Sequence, residues 1–296
     1  MERPLRPGGA GIAAARRGRF APYLLTLPGA LWLLVFFVVP LYLMFSFSLY
    51  EGSLSEGYSY TPNWLDTYKG VLEKYDTFVV RSLWYGLIVT LATLLLSYPM
   101  AYWIAFRARR KSLFLLLILL PFFTPFLIRT LSWKFVLADQ GIFLGALRDL
   151  GVISEGFHLL ATPAAVVAGI IYNFLPFMAL PLYVALERLD PALIEASQDL
   201  YANRRQAFLR VTLPLSLPGI FAGSLLTFIP SVGDFVNAEL LGGTNTTMIG
   251  NVIQRELLVS TDFPEGSAIS FLLMAAILIG VFAYARALGT EELTGR

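Results

Sequence analysis

LIEASQDLYANRRQAFLRVTLPLSLPGI, Leu193 to Ile220, is a polar, doubly basic segment set between two long apolar runs. Asp190 followed by Pro191 is a good helix start, because an aspartate accepts from orphan N–H groups and proline loses nothing at the first helical position. One short helix should run from there to about Leu200. Asn203 then offers a second cap, with Gln206 three residues on to reach back, and predicts a second helix carrying Arg204 to Val211. Pro214 and Pro218 punctuate the chain before the next apolar run. Glu195, Asp199, Arg204, Arg205 and Arg210 on two short helices make a charged knob that projects from a membrane rather than burying in it.

Composition agrees with a membrane setting. The chain has 296 residues, 57% hydrophobic and 14% charged, with a mean hydropathy of +0.68, which is the profile of an integral membrane protein. Without cysteine, disulfide frameworks, thiol catalysis and cysteine-bound metals are excluded. A net charge of +2 is too small to suggest a nucleic-acid partner. His158 is the sole histidine, so no histidine metal cluster can be built, and an interfacial residue is expected there rather than a catalytic one. No phosphate-binding glycine loop precedes a lysine, so no ATPase site is expected in this chain.

Working outward from the knob, apolar spans are expected at about Pro22–Tyr50, Phe78–Phe106, Leu113–Ile128, Thr162–Leu186, Leu217–Phe235 and Ser267–Leu288, each near the length that crosses a bilayer. Six spans put both termini on one side. Arg107, Arg109, Arg110 and Lys111 in one turn, and Arg188, Arg204, Arg205 and Arg210 in the knob, mark that side as cytoplasmic by the positive-inside rule. Residues 1–20, with five arginines, form a basic cytoplasmic tail. Residues 21–76 hold the first span and an outer loop in which Tyr58, Tyr60, Trp64 and Tyr68 suit an interface. Residues 77–290 form the core, with the cytoplasmic loop at 187–214. In the long outer connection Arg129–Ala161, Leu131–Leu137 and Ile142–Leu150 could be short interfacial helices.

The knob resembles the EAA loop of the membrane subunits of ABC importers, whose pattern is Glu-Ala-Ala, three residues, Gly, nine residues, then Ile-x-Leu-Pro. Here it reads Glu195-Ala196-Ser197, Tyr201, Val211 and Leu213-Pro214, with the spacing kept and Ser197, Tyr201 and Val211 replacing Ala, Gly and Ile. The glycine permits a positive φ between the helices, which tyrosine reaches only at a cost. Outside the loop, Ile128–Phe143, Asn173–Ser197, Thr212–Val236 and Leu240–Gln254 look like the polyamine branch of that family, the PotB-type subunits of spermidine/putrescine importers. The bland alternative for the knob is an ordinary basic loop.

The resemblance implies a type I ABC importer transmembrane domain, all-α with six transmembrane helices, in the bacterial inner membrane. It implies a second permease subunit, two ATPase subunits that carry ATP and magnesium, and an extracytoplasmic substrate-binding protein. The knob would sit in a groove of the ATPase, with Glu195 in an ion pair and Arg204 and Arg205 flanking. Candidates for the translocation pathway are Asp234, Asn237, Asn173, Tyr172 and Phe235, since carboxylates beside aromatic rings suit an alkylammonium. Against this, Asp234 and Asn237 can simply cap a helix end, and Asn173 can form an interhelical hydrogen bond. Gly219-x-x-x-Gly223 reads as helix packing. Other readings of the function are an ABC permease for another small solute and a secondary transporter. The scarcity of intramembrane ionisable groups speaks against the latter.

Overall fold

The computed structural model describes residues 25–154 and 156–287. The basic tail read over residues 1–20 lies outside them. Among the described residues, four helices are long and apolar enough to cross a membrane, and six if each of two sharply bent pairs counts as one span. This is the expected six-span, all-α architecture, with different boundaries.

Helix α1, Leu25–Phe47, widens to π geometry at Leu34–Val38 just before Pro40. Pro40 has no N–H to return to the preceding turn and its ring crowds that turn's carbonyl, so the ladder opens there. A hairpin comes next, β1 (Tyr50–Ser53) paired antiparallel with β2 (Gly57–Tyr60), with Tyr50 opposite Tyr60. Gly52 has φ +121° and lies so close to the Gly57 carbonyl that no Cβ fits, which leaves glycine as the residue for this position.

Helix α2 runs unbroken over 43 residues, Trp64–Phe106. The outer loop expected up to Asp76 is therefore corrected: from Trp64 onward it is helix. Leu65, Tyr68, Val71, Leu72 and Tyr75 recur at spacings of three and four residues, and Val71 and Tyr75 are buried, so the polar stretch carries an apolar stripe. At 1.5 Å per residue the helix is about 65 Å long, twice the roughly 30 Å of a hydrocarbon layer. Farther along, its buried face is built from small residues, Ser82, Gly86, Thr90, Thr93, Ser97, Ala101 and Ala105, which let neighbouring backbones come close.

The third span is corrected too. Helix α3, Lys111–Leu119, passes through a 3-10 turn at Leu120–Phe123 and then turns by 92° into α4, Phe126–Val136. The corner is chemical in origin, since Thr124 precedes Pro125 and is held extended. Residues expected to end a span at Ile128 thus belong to a second limb, which absorbs the short helix expected at Leu131–Leu137. Helix α5, Ile142–Asp149, matches the other short helix.

Helix α6, Pro163–Glu187, is capped by Thr162, whose hydroxyl accepts from the Ala165 amide. After it come α7, Pro191–Asp199, and α8, Arg204–Leu215, which bends by 61° into α9, Leu217–Val232. The fifth span stops at Val232 rather than Phe235, because Asp234 caps a new helix, α10 (Phe235–Leu241). Helices α11, Ile249–Leu258, and α12, Phe263–Ala287, complete the order.

Helices α2, α6 and α9 form the centre. A Cβ on Gly219 would lie 2.5 Å from the Ala185 Cβ and 2.8 Å from the Pro181 carbonyl, and one on Gly223 would lie 2.8 Å from the Met178 sulfur, so the two glycines seat α9 against α6. Ile104, Met178, Leu182 and Leu186 are the largest wholly buried side chains of this core. One end of the bundle gathers the hairpin, the start of α2 and the α11–α12 junction, where Tyr58 donates to the Thr261 carbonyl and Lys74 pairs with Glu265 at 2.7 Å. The opposite end carries the basic turn and the knob.

Candidate functional site

Two constellations stand out: the knob at one end, and a buried polar cluster at the elbow between α3 and α4.

The knob is held by reciprocal local bonds. Asp190 Oδ1 accepts from the Ala192 amide at 2.9 Å. At the far side Asn203 and Gln206 form the complete capping box, with Asn203 Oδ1 accepting from the Gln206 amide at 2.9 Å and Gln206 Oε1 from the Asn203 amide at 3.0 Å. Between them, the Tyr201 amide donates to the Gln198 carbonyl at 2.9 Å and the Ala202 amide to the Ser197 carbonyl at 3.1 Å. That pair of bonds is a Schellman ending with Tyr201 at the left-handed position, and its φ is +63°. Glycine takes this conformation freely, whereas for tyrosine it costs roughly 1–2 kcal/mol. The left-handed turn that glycine permits in the family is thus kept here despite the tyrosine.

Phe208 anchors the knob to the bundle, edge-on to Tyr98 and Tyr102 at 5.6 and 6.1 Å. Leu213 packs on the central core, and Ser216, at the bend after Pro214, shares a 2.9 Å hydrogen bond with the Tyr98 hydroxyl. Ser197 turns inward to donate to the Ile194 carbonyl. Glu195, Ala196, Asp199, Arg204 and Arg205 are exposed. Among the described residues none of these charged groups has an ion-pair partner within 4 Å. The arrangement is a rigid, outward-facing set of unpaired charges of both signs.

At the elbow, Arg129 of α4 is buried. Its Nε donates to Asn173 Oδ1 at 2.6 Å and its Nη1 to the Pro121 carbonyl at 2.9 Å, while the guanidinium carbon lies 5.0, 5.6 and 5.9 Å from the ring centres of Phe122, Phe126 and Tyr172. Asn173 Nδ2 donates to Thr130 Oγ1 and to Asn237 Oδ1, at 3.2 and 3.1 Å. Asn237 in turn donates from Nδ2 to Asp234 Oδ2 at 2.6 Å, and Asp234 Oδ1 caps the Asn237 amide at 2.9 Å. Two carboxamides therefore connect a buried guanidinium to a buried carboxylate. An isolated charge of either kind would cost several kcal/mol in an apolar medium; the chain of donors and acceptors spreads that cost over four elements.

The structure thus brings Asn173, Asn237, Asp234 and Tyr172 together and leaves Phe235 apart, its ring part-exposed and its carbonyl accepting from Asn251 Nδ2 at α11. Asp234 and Asn173 both make the structural bonds weighed for them, a helix cap and an interhelical link. Arg129 and Thr130 escaped the sequence reading. The signal was present: Arg129 is a lone cation in FFTPFLIRTLSW, and an ionisable residue in an apolar run marks a functional site by default.

With both constellations in view, comparison with known proteins decides the family. Residues 94–288 match the binding-protein-dependent transport system inner membrane components. The chain belongs to that family. It is 40% identical over 258 residues, covering 86% of this chain and 90% of the relative, to the spermidine/putrescine transport system permease protein PotB of Haemophilus influenzae. It is 40% identical over 225 residues to PotB of Escherichia coli, covering 75% of this chain and 82% of that one. It is 34% identical over 228 residues, 72% of each chain, to the inner membrane ABC transporter permease protein YdcU of Escherichia coli. In structure it superposes on a bacterial ABC transporter involved in alginate import with a TM-score of 0.71, at 18% identity and over 94% of this chain and 98% of that one. The fold of this inner membrane component is accordingly that of a type I ABC importer transmembrane domain.

Proposed function

We propose that the chain is the permease subunit of an ATP-driven importer of polyamines of the spermidine and putrescine class. The observation that carries this is the 40% identity to a spermidine/putrescine permease along 86% of the chain, well beyond the coupling segment that all such importers share. In this reading the knob end is cytoplasmic and docks on an ATPase subunit, which holds ATP and magnesium. A second permease subunit completes the pathway, and a substrate-binding protein delivers the polyamine to the hairpin end. Four features support the reading: the basic turn Arg107–Lys111, the knob's unpaired charges, its rigid caps and its seat on Tyr98 and Tyr102.

Mechanically, closure of the ATPase displaces the knob. Because α8 runs into α9 through a 61° bend, and α9 is locked to α6 by Gly219 and Gly223, the displacement swings α6 and α9 together against the neighbouring subunit. Alternating access needs no covalent step in this chain. Asp234, at the end of α9, moves with that unit; both its oxygens are held by Asn237, so it meets an alkylammonium only in a state of the cycle in which those bonds open. The test is ATP hydrolysis by the purified assembly. Binding protein loaded with spermidine should stimulate it severalfold, Glu195→Ala should abolish the stimulation, and stimulation by an unrelated solute alone would overturn the polyamine assignment.

A further inference from the structure

Docking through charged groups gives the knob no reason to carry a tyrosine at its turn. Tyr201 adopts a left-handed backbone in which glycine would be unstrained, and its side chain is 97% exposed, next to Leu200 at 81%. Among the described residues nothing offsets the strain, since the ring touches no other ring and the turn's hydrogen bonds are backbone bonds that glycine would make equally. Residues held in strained backbone conformations cluster at functional sites, so an outlier at an exposed turn motivates a search for a function of its side chain. Tyrosine is well suited to that, because it brings a large rigid apolar surface at small entropic cost and recurs among the residues that dominate interface energetics.

We propose that Tyr201, with Leu200, is the apolar anchor of the knob, inserted in a cleft of the ATPase subunit, and that it selects which ATPase this permease accepts. The inference rests on the knob being the ATPase-docking element. The complementary cleft has an apolar floor to take the ring and a mixed-charge rim, with carboxylates toward Arg204 and Arg205 and a cation toward Glu195 and Asp199. All four of these charges are exposed and unpaired among the described residues, and they flank the Leu200–Tyr201 tip along the chain on both sides. An anchor surrounded by weaker charged contacts is the usual energetic layout of a specific interface, and an ATPase whose cleft is shaped for a glycine turn would clash with the ring.

The experiment uses the full assembly in detergent with Tyr201→Gly, Tyr201→Phe and Gln198→Cys. Tyr201→Gly relieves the backbone, so the isolated permease should melt no lower than the native protein. The same substitution should weaken retention of the ATPase subunit at least tenfold, with Tyr201→Phe keeping most of it. Retention of Tyr201→Gly within twofold of native, while Gln198→Cys still cross-links to the ATPase, would overturn the anchor and leave the coupling reading intact. Failure of Gln198→Cys to cross-link to any ATPase subunit would overturn both. As a test of selection, an ATPase from an importer whose permease has glycine at this position should bind Tyr201→Gly better than native; equal or poorer binding contradicts the selective role.

Discussion

Arg129 shows how one side chain can organise a membrane elbow. Its guanidinium is satisfied by one amide oxygen, one backbone carbonyl and three aromatic faces, and each belongs to the corner of α3 and α4 or to α6. Replacing Asn173 by leucine removes the acceptor from Arg129 and the donor to Asn237 at once. Leaving buried polar groups without partners costs about 1–3 kcal/mol each, so Asn173→Leu should lower the thermal midpoint in detergent by several degrees; an unchanged midpoint would show that the cluster carries no stability. Asn173, Asn237 and Asp234 could be picked from the sequence because a polar residue in an apolar span needs a reason. That they contact one another could not, since 64 residues separate Asn173 from Asn237 and only the packing of α6 against α10 joins them. Arg129 was hidden because the expected span ends at Ile128, whereas the second limb, α4, runs on to Val136.

At the level of elements, local chemistry was legible and length was not. The caps at Asp190 and Asn203 arise from side-chain acceptors a few residues from the amides they bind, which a sequence displays directly; the turn at residue 201 is held by backbone bonds and was legible only through the family's glycine at that position. The 43 residues of α2 and the 92° corner do not, because a hydropathy window stops at the first charged stretch and cannot see that Tyr75 and Val71 are buried against α11 and α12. Two outcomes are expected here. Gly219→Val places a branched side chain where even one Cβ is crowded by Ala185 and Pro181, and overpacking of this kind costs about 1–3 kcal/mol, so folded yield and thermal midpoint should both fall; retention of both would mean that α9 and α6 are free to separate. In α11, burial pushes the Glu256 carboxyl up, but hydrogen bonds from Ser260, Arg255 and Tyr75 outweigh it and hold the group below its usual 4.5. A depressed carboxyl stabilises the fold above that ordinary value and ceases to as pH falls through its own lower one. The native protein should therefore lose thermal midpoint relative to Glu256→Gln as pH is lowered from about 6 to below the ordinary carboxyl value, and parallel curves would refute the assignment.

For the molecule as a whole, the arrangement divides labour by end. At the knob end Lys111 pairs with Glu187 at 3.4 Å, while Glu195, Asp199, Arg204 and Arg205 stay exposed and without an ion-pair partner among the described residues; the hairpin end is aromatic, with Phe47, Tyr58 and Phe263 packed edge to face or tilted at 5.6 to 6.0 Å. Between them, α2, α6 and α9 form a close-packed shaft that can carry a displacement from one end to the other. Exposed apolar surface along α1 is ordinary for a helix facing lipid or a second subunit. The central claim is that this shaft serves ATP-driven polyamine import, and uptake of labelled spermidine into proteoliposomes holding the complete assembly tests it most directly. With binding protein outside and ATP inside, uptake should persist when ion gradients are collapsed by ionophores and stop when ATP is withheld. Uptake that instead tracks the ion gradient and ignores ATP would contradict the account.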